Sequence, residues 1–216
     1  MLLGARQFFE RRGAPTPPLP YDAEVEYLES TGTQWIDTGI VARLGTSLRM
    51  QFSPRVAYRS FQNCFCGAAN ALNIAPHYDV NANGSKITVW NGGAFLDSSV
   101  QISADTMYNV YVDASTSSLT VDVNGIQATS SRQDGMYSDN SFYLFALNLN
   151  GQPQRNTQIR VYSFSLIYDG VLVRDFIPVR FTNEQGVSEG AMYDRVSGQV
   201  FRNAGTGAFT IGPDKS

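Results

Sequence analysis

The chain has 216 residues, of which 43% are hydrophobic and 12% aromatic, so it can bury one sizeable core without disulfides or structural metals. Charged residues make up only 16%, and the formal net charge is −3. A nucleic acid is therefore not expected as the main ligand, because neutralising a phosphate backbone requires a basic face. The polar surface must come mainly from Asn, Ser, Thr, Gln and Gly residues, which suits neutral polar partners.

The N-terminal segment differs in character from the rest of the chain. Residues 2–12 predict a short amphipathic helix, and residues 13–20 (GAPTPPLP) predict a stiff, extended linker. The large apolar residues that would gather on one side of the helix are Leu2, Leu3, Phe8 and Phe9. We therefore expect an attachment arm and linker over 1–20, docking on a protein partner, followed by one domain over 21–216. A frayed terminus is the alternative.

The arm does not match a secretory signal peptide, because Arg6 interrupts its apolar run and its other arginines follow that run. No stretch approaches the length needed to cross a bilayer as a helix. We expect a protein of a virion or of the extracellular or cell surface. It would arrive there by lysis, by a signal-independent route or as part of a particle.

From Tyr21 onward, apolar residues alternate with polar residues, and this period of two predicts β-strands with one buried face. Leu48, Met50 and Phe52 show the pattern, with Arg49 and Gln51 between them. Residues 142–147 are continuously apolar, which predicts a central strand covered on both faces.

The turns between these strands also have recognisable signatures. Asn124-Gly125 predicts a tight hairpin, Asp169-Gly170 predicts another turn, and slipped alternation over 159–167 predicts a bulge near Ser163. Many short strands without intervening helices predict an all-β fold, a two-sheet antiparallel sandwich.

Three segments resemble the laminin-G-like, concanavalin A-like jelly-roll domains that are frequent in bacteria and their phages. They are residues 26–39 (EYLESTGTQWIDTG), 161–178 (VYSFSLIYDGVLVRDFIP) and 192–201 (MYDRVSGQVF). The resemblance spans nearly all of 24–212 and implies a jelly roll whose first and last strands lie side by side.

The resemblance also implies roles for particular residues. Trp35, Tyr193 and Phe201 should lie in the core, whereas Asp37 and Asp194 should cap turns. Such domains are better known for contacting glycans and proteins than for chemistry, although some proteins of this fold are hydrolases.

One acidic pattern resembles the carboxylate series of laminarinase-type glucanases, namely Glu24, Glu26 and Glu29. In a regular strand Glu24 and Glu26 share a face and Glu29 points the opposite way, whereas a retaining glycosidase needs two carboxyl groups about 5 Å apart. His77 is the only histidine, and no nucleophile elbow or phosphate-binding glycine loop accompanies it. We therefore expect no enzymatic activity and no cofactor, with a glycan hydrolase as the alternative.

No metal site is predicted. Cys64, Cys66 and His77 cannot form a four-ligand zinc site, so both cysteines are interpreted as small, semi-buried hydrophobic residues. Asp79, Asp97, Asp113 and Asp122 are scattered and match no calcium loop.

Glycan binding requires exposed aromatic rings with hydrogen-bonding groups nearby. Trp90 is the leading candidate, because Ile87 and Val89 point to the opposite face. Its candidate neighbours are Asn91, Tyr78, Asn81 and Asn83. The alternative is that Trp90 covers the sheet or makes a subunit contact in a homo-oligomer.

The sequence thus predicts a non-enzymatic binding or structural module of a phage virion (tail, fibre or capsid-decorating protein) or of a surface. Its ligands would be glycans or protein partners, and its arm would attach it. A purely architectural lattice protein is a further alternative.

Overall fold

A computed structural model describes residues 18–41, 43, 45–56, 63–69, 72–79, 84–91, 94–114, 117–131 and 138–215, with the backbone alone for 72–79, 84, 91 and 94. Within these ranges every regular element is a β-strand. The predicted helical arm lies outside them. No helix in the described part of the chain is long and apolar enough to span a membrane.

The strands are numbered in chain order. They are β1 Ala23–Glu24, β2 Leu28–Glu29, β3 Ile36–Val41, β4 Thr46–Pro54, β5 Cys66–Ala68, β6 Leu72–Asp79, β7 Gly84–Asn91, β8 Ala94–Gln101, β9 Tyr108–Asp113, β10 Ser118–Val123, β11 Ile126–Ser131, β12 Ser141–Leu144, β13 Leu147–Leu149, β14 Gln152–Gln154, β15 Ile159–Tyr168, β16 Val171–Thr182, β17 Ser188–Asp194, β18 Gln199–Phe201 and β19 Thr210–Ile211.

These strands form two sheets. The larger sheet has the order β11-β10-β9-β4-β15-β16-β17-β18, with β1, β2 and β19 attached alongside β15 and β16. The smaller sheet runs β14-β13-β5-β6-β7-β8, and β12 joins β5 to β3. The pairing is antiparallel as predicted, except that β13 runs parallel to β5.

The core lies between the sheets and follows the predicted alternation. Phe52 of β4 packs on Phe65 before β5, with ring centroids 4.6 Å apart, so these two rings link the layers. Leu48, Met50, Val110, Val112 and Val121 of the larger sheet are buried with Ile36, Ile87, Val89 and Phe142 of the smaller. Burying each such side chain stabilises the fold by about 1.5–3 kcal/mol. An all-β sandwich is therefore the observed architecture.

The first and last strands lie side by side, as the resemblance implied. Ile211 of β19 pairs with Leu28 of β2, and Val25 forms an isolated bridge with Asp214. The acidic segment at 24–29 is split into two short strands, since β1 pairs with β16 whereas β2 pairs with β15 and β19.

Two predicted turns and the predicted bulge are confirmed. Asn124 and Gly125 have φ of 52° and 86° between β10 and β11, as a tight hairpin requires, and Asp169-Gly170 joins β15 to β16 in the same way. The pairing of β15 with β4 shifts between Val161 and Ser163.

Two details of the sequence prediction are wrong. Residues 142–147 do not form one central strand, because the chain turns at Phe145, which has φ of 71° and ends β12 before β13 begins. Trp35, Tyr193 and Phe201 are half-buried instead of fully buried: Phe201 and Tyr193 pack against core clusters from their edge, and Trp35 stacks on Tyr143 at 4.2 Å. Large aromatic residues at sheet margins often cover a core without entering it.

The predicted turn caps are observed. Asp37 accepts a hydrogen bond from the Gly39 N–H at 2.8 Å, and Asp194 accepts hydrogen bonds from the N–H groups of Val196 and Ser197 at 3.2 Å. Each carboxylate thus satisfies backbone donors of a turn.

Both cysteines are fully buried, and the Cys64 thiol donates a hydrogen bond to the Cys66 carbonyl at 3.2 Å. Burial raises the pKa of the Cys64 thiol to about 12, which leaves it protonated and unreactive near neutral pH.

Candidate functional site

The outer face of the larger sheet carries polar side chains in rows across the strands. The first row crosses five adjacent strands, and each of its residues is the register partner of the next. In order, the row is Ser165 of β15, Arg49 of β4, Tyr111 of β9, Asp122 of β10 and Gln127 of β11. Neighbouring strands are about 4.8 Å apart, so this row is roughly 19 Å long.

A second row lies two residues along the strands from the first. Ser163, Gln51 and Asn109 are register neighbours on β15, β4 and β9. The Gln51 side-chain amide donates to the Asn109 side-chain oxygen at 2.8 Å, and the Asn109 N–H donates to the Asn124 side-chain oxygen at 2.8 Å. These amides are therefore held in fixed positions by the sheet and by the β10–β11 turn.

Residues from both rows line an open groove of about 790 Å³, although Ser165 and Gln127 at the ends of the first row lie outside it. Its polar lining comes from Arg49, Gln51, Asn109, Tyr111, Asp122 and Asn124, together with Ser163. Met107, which is 43% exposed, adds an apolar wall at one end. This volume lies in the range of small-molecule sites, although the groove is wide open to solvent.

Tyr111 is the aromatic ring of the groove, and its neighbours fix its position. The Arg49 guanidinium lies 5.1 Å from the ring centroid. Burial and the negative charge of Asp113 raise the pKa of the Tyr111 hydroxyl, against the opposing effect of Arg49, and a hydrogen bond to Asp113 adds to the rise. The hydroxyl therefore stays protonated at physiological pH and is engaged by Asp113 and Arg49, which fixes the ring in place.

Asp122 is the one carboxylate among the described residues that line the groove, and the hairpin turn uses it. Its two oxygens accept hydrogen bonds from the Gly125 N–H at 2.8 Å and from the Gln127 side-chain amide at 2.9 Å. Asp122 and Arg49 balance each other in charge. The residues lining the groove thus offer a flat ring, fixed amides and one charge of each sign, with Asp113 bonded to the Tyr111 hydroxyl beside them, a combination suited to a polyhydroxylated ligand without negative charge.

The sequence-predicted candidate Trp90 lies elsewhere, on the smaller sheet. It is half-buried and packs against Phe95 with ring centroids 4.5 Å apart, while Ile87 and Val89 on the other face of β7 are fully buried. Phe95 is 49% exposed, so an aromatic pair reaches the surface there.

The proposed neighbours of Trp90 are only partly brought together. Asn91 follows it in β7, but Tyr78 of β6 pairs with Ser85, whereas Asn73 is the partner of Trp90. Five residues of strand separate those levels, or about 17 Å. The side chains of Tyr78 and Asn91 lie outside the described atoms, and Asn81 and Asn83 lie outside the described residues, as do Leu2, Leu3, Phe8 and Phe9 of the arm.

The three glutamates of the hydrolase alternative occupy separate environments. Glu29 forms ion pairs with Arg160 at 2.6 Å and with Arg55 at 3.2 Å. Glu24 accepts a hydrogen bond from the Tyr21 hydroxyl at 3.3 Å, and Glu26 is exposed. None of the three lines the groove.

Of the four aspartates considered for calcium, Asp97, Asp113 and Asp122 are committed to protein contacts, and the side chain of Asp79 lies outside the described atoms. Asp97 accepts a hydrogen bond from the Thr88 hydroxyl at 2.6 Å, and Asp113 accepts one from the Ser47 hydroxyl at 3.1 Å. Among the residues with described side chains, no three His, Cys, Asp or Glu groups are arranged to hold a metal ion.

Sequence reasoning missed the groove for a topological reason. The alternation places Arg49, Gln51, Asn109 and Tyr111 on outward faces, but β4 and β9 are about sixty residues apart in the chain. Only the observed strand order brings the four residues together.

Comparison with known proteins supports the fold. A candidate carbohydrate-binding protein from Bacteroides ovatus superposes with a TM-score of 0.62 at 12% sequence identity, over 89% of this chain and 61% of that one. The chain therefore spans less than two thirds of the length of that protein. At this level of identity the likeness establishes a shared fold only.

Two further structures are more distant. Domain 4 of the extracellular GH43 arabinanase AbnA from Geobacillus stearothermophilus, in complex with arabinotriose, has a TM-score of 0.44 at 16% identity and covers 66% of this chain and 68% of the domain. Tailspike protein 2 of the Escherichia coli O157:H7 bacteriophage CAB120 has a TM-score of 0.42 at 12% identity. The match covers 71% of this chain and 27% of the tailspike chain. Neither likeness supports an inference. No protein-family model and no curated protein sequence matches this chain.

Proposed function

We propose that this chain is a non-enzymatic glycan-binding module of the laminin-G-like jelly-roll kind, and that it binds a neutral glycan in the groove on the outer face of the larger sheet. The observation behind the proposal is the grouping of Tyr111 with the fixed amides of Gln51 and Asn109 on one open surface. Sugar rings stack on aromatic faces while their hydroxyl groups bond to amides.

Three further points support this function. The charge of Arg49 is balanced by Asp122, and Asp113 adds a negative charge at the Tyr111 hydroxyl, which favours a neutral ligand over an anionic one. The usual glycoside hydrolysis uses two carboxyl groups, whereas Asp122 stands alone among the described groove residues and is held by the hairpin turn. The fold is shared with a candidate carbohydrate-binding protein.

Binding is tested on a glycan array with the wild type and two variants. Tyr111→Ala is expected to weaken glycan retention at least about tenfold, because it removes the stacking surface, a loss of about 1.4 kcal/mol. Trp90→Ala, which removes an aromatic ring from the other sheet, is the matched control and should bind as the wild type does. A wild type that retains no glycan would refute the function, and loss of binding only in Trp90→Ala would move the site to the smaller sheet.

We also propose that residues 1–20 attach the domain to a protein partner in a virion or at a cell surface. The domain that follows makes its own contacts from its first residues onward, since the Asp22 N–H donates to the Arg180 carbonyl at 2.8 Å and Tyr21 packs on Tyr193. The domain should therefore fold without the arm.

Deletion of residues 1–20 is expected to abolish oligomerisation or incorporation into particles while leaving the thermal melting transition in place. Light scattering and co-sedimentation with particles would measure the first effect, and circular dichroism the second. Unchanged assembly after the deletion would refute the role of the arm.

A further inference from the structure

The bulge in β15 places an aromatic residue beside the groove. Val161 pairs with Phe52 and Ser163 pairs with Gln51, so Tyr162 is an extra residue without a register partner on β4. Val161 is fully buried and Ser163 lines the groove, while Tyr162 is half-buried. Bulges commonly redirect a side chain next to a functional site.

Tyr162 has an aromatic neighbour on the segment that precedes β2. The ring of Tyr27 meets it edge to face, with centroids 5.6 Å apart, and the Arg160 guanidinium lies 4.4 Å from the centroid of Tyr27. Arg160 is fixed in turn by its ion pair with Glu29 at 2.6 Å.

Gly212 also packs against the ring of Tyr27. A Cβ atom at this position would lie 3.0 and 3.1 Å from two ring carbons of Tyr27, so the backbone of the C-terminal segment packs directly on that ring. Tyr162 is thus a preorganised surface ring, and a ligand that stacks on it loses little side-chain entropy.

The register gives the spacing of the two rings. Ser163 of β15, Gln51 of β4 and Asn109 of β9 are register neighbours, so β15 and β9 are two strand spacings apart. Tyr162 lies one residue from Ser163, and Tyr111 lies two residues from Asn109 in the opposite direction. The two rings are therefore offset by two strand spacings and three residues. Strand geometry makes this diagonal about 14 Å, on the order of three linked sugar rings. The Gln51–Asn109 amide pair lies between the two rings.

We propose that Tyr162 is a second stacking platform and that the ligand is an extended chain of neutral sugars bound diagonally across the sheet, not a terminal mono- or disaccharide. This inference rests on the proposed function. The charge near Tyr162 agrees with a neutral chain, since Arg160 and Arg55 both pair with Glu29 and Arg55 also pairs with Asp105.

The test is calorimetric titration with neutral gluco-, manno- and arabino-oligosaccharide ladders from the disaccharide to the hexasaccharide. For the ladder that binds, wild-type affinity should rise about tenfold or more between the disaccharide and the tetrasaccharide. Tyr162→Ala should lose that gain and keep the disaccharide affinity, whereas Tyr162→Phe should behave as the wild type does. Melting temperatures would confirm that both variants fold.

Tyr168→Ala is the matched control, because Tyr168 is a half-buried tyrosine at the far end of the same strand, beside Arg43 and away from the groove. It should leave the whole ladder unchanged. If Tyr111→Ala abolishes binding while Tyr162→Ala shows the wild-type length dependence, the second platform is overturned and the glycan function stands. If the wild type binds no ladder and retains no glycan on the array, the function itself is overturned.

Discussion

Replacing Asp194 with alanine is expected to lower the free energy of unfolding by about 3–5 kcal/mol, because the change leaves several buried donors without an acceptor. The carboxylate is fully buried. It accepts hydrogen bonds from the Asp175 N–H at 2.8 Å and from the Ser197 hydroxyl at 2.7 Å, besides those of the turn it caps. Arg174 approaches it at 3.5 Å.

Chemical denaturation of matched variants measures this effect. Asp194→Asn keeps one acceptor oxygen and should lose less stability than Asp194→Ala. Asp214→Ala removes an aspartate from a solvent-exposed ion pair with Arg180 and should lower stability far less than Asp194→Ala does. Equal unfolding free energies for Asp194→Ala and Asp214→Ala would show that the buried hydrogen bonds of Asp194 do not stabilise the hairpin formed by β17 and β18.

Gly205→Ala is expected to cost about 3 kcal/mol, because there is no room for a methyl group between two packed loops. A Cβ atom there would overlap the Thr33 carbonyl oxygen and lie 2.9 Å from Cδ1 of Trp35. The backbone on both sides is fixed, since the Ala204 N–H donates to the Trp35 carbonyl at 2.9 Å. Neither loop can therefore move without breaking hydrogen bonds.

Gly170→Ala separates steric overlap from backbone strain. Gly170 has φ of 78° and open space around it, so alanine there should cost only the conformational penalty of about 1–2 kcal/mol. In thermal unfolding, Gly205→Ala should have a lower melting temperature than Gly170→Ala. The reverse order would mean that the 33–35 and 203–207 loops are looser than the observed contacts require.

The fold followed from local patterns, because burial of one face imposes a period of two on each strand. The bulge near Ser163 was predictable for the same reason, since an extra residue shifts the alternation. The break at Phe145 was not predictable, because a continuously apolar segment carries no alternation that a turn could interrupt.

The candidate site depended on long-range pairing. Trp90 was favoured because a single strand indicates which residues face outward, and its half-burial agrees with that orientation. Tyr111 has the same local signal, but its neighbours Arg49 and Asp122 come from two different strands. A binding surface built across strands becomes visible only once their order is known.

The central claim is that the outer face of the larger sheet binds the glycan, and an NMR titration of the ¹⁵N-labelled protein with a bound oligosaccharide tests it most directly. We expect the largest chemical-shift changes at the backbone amides of Gln51, Asn109, Tyr111 and Asn124 and little change at Trp90 and Phe95. Shifts confined to Trp90, Phe95 and their neighbours on the smaller sheet would contradict it.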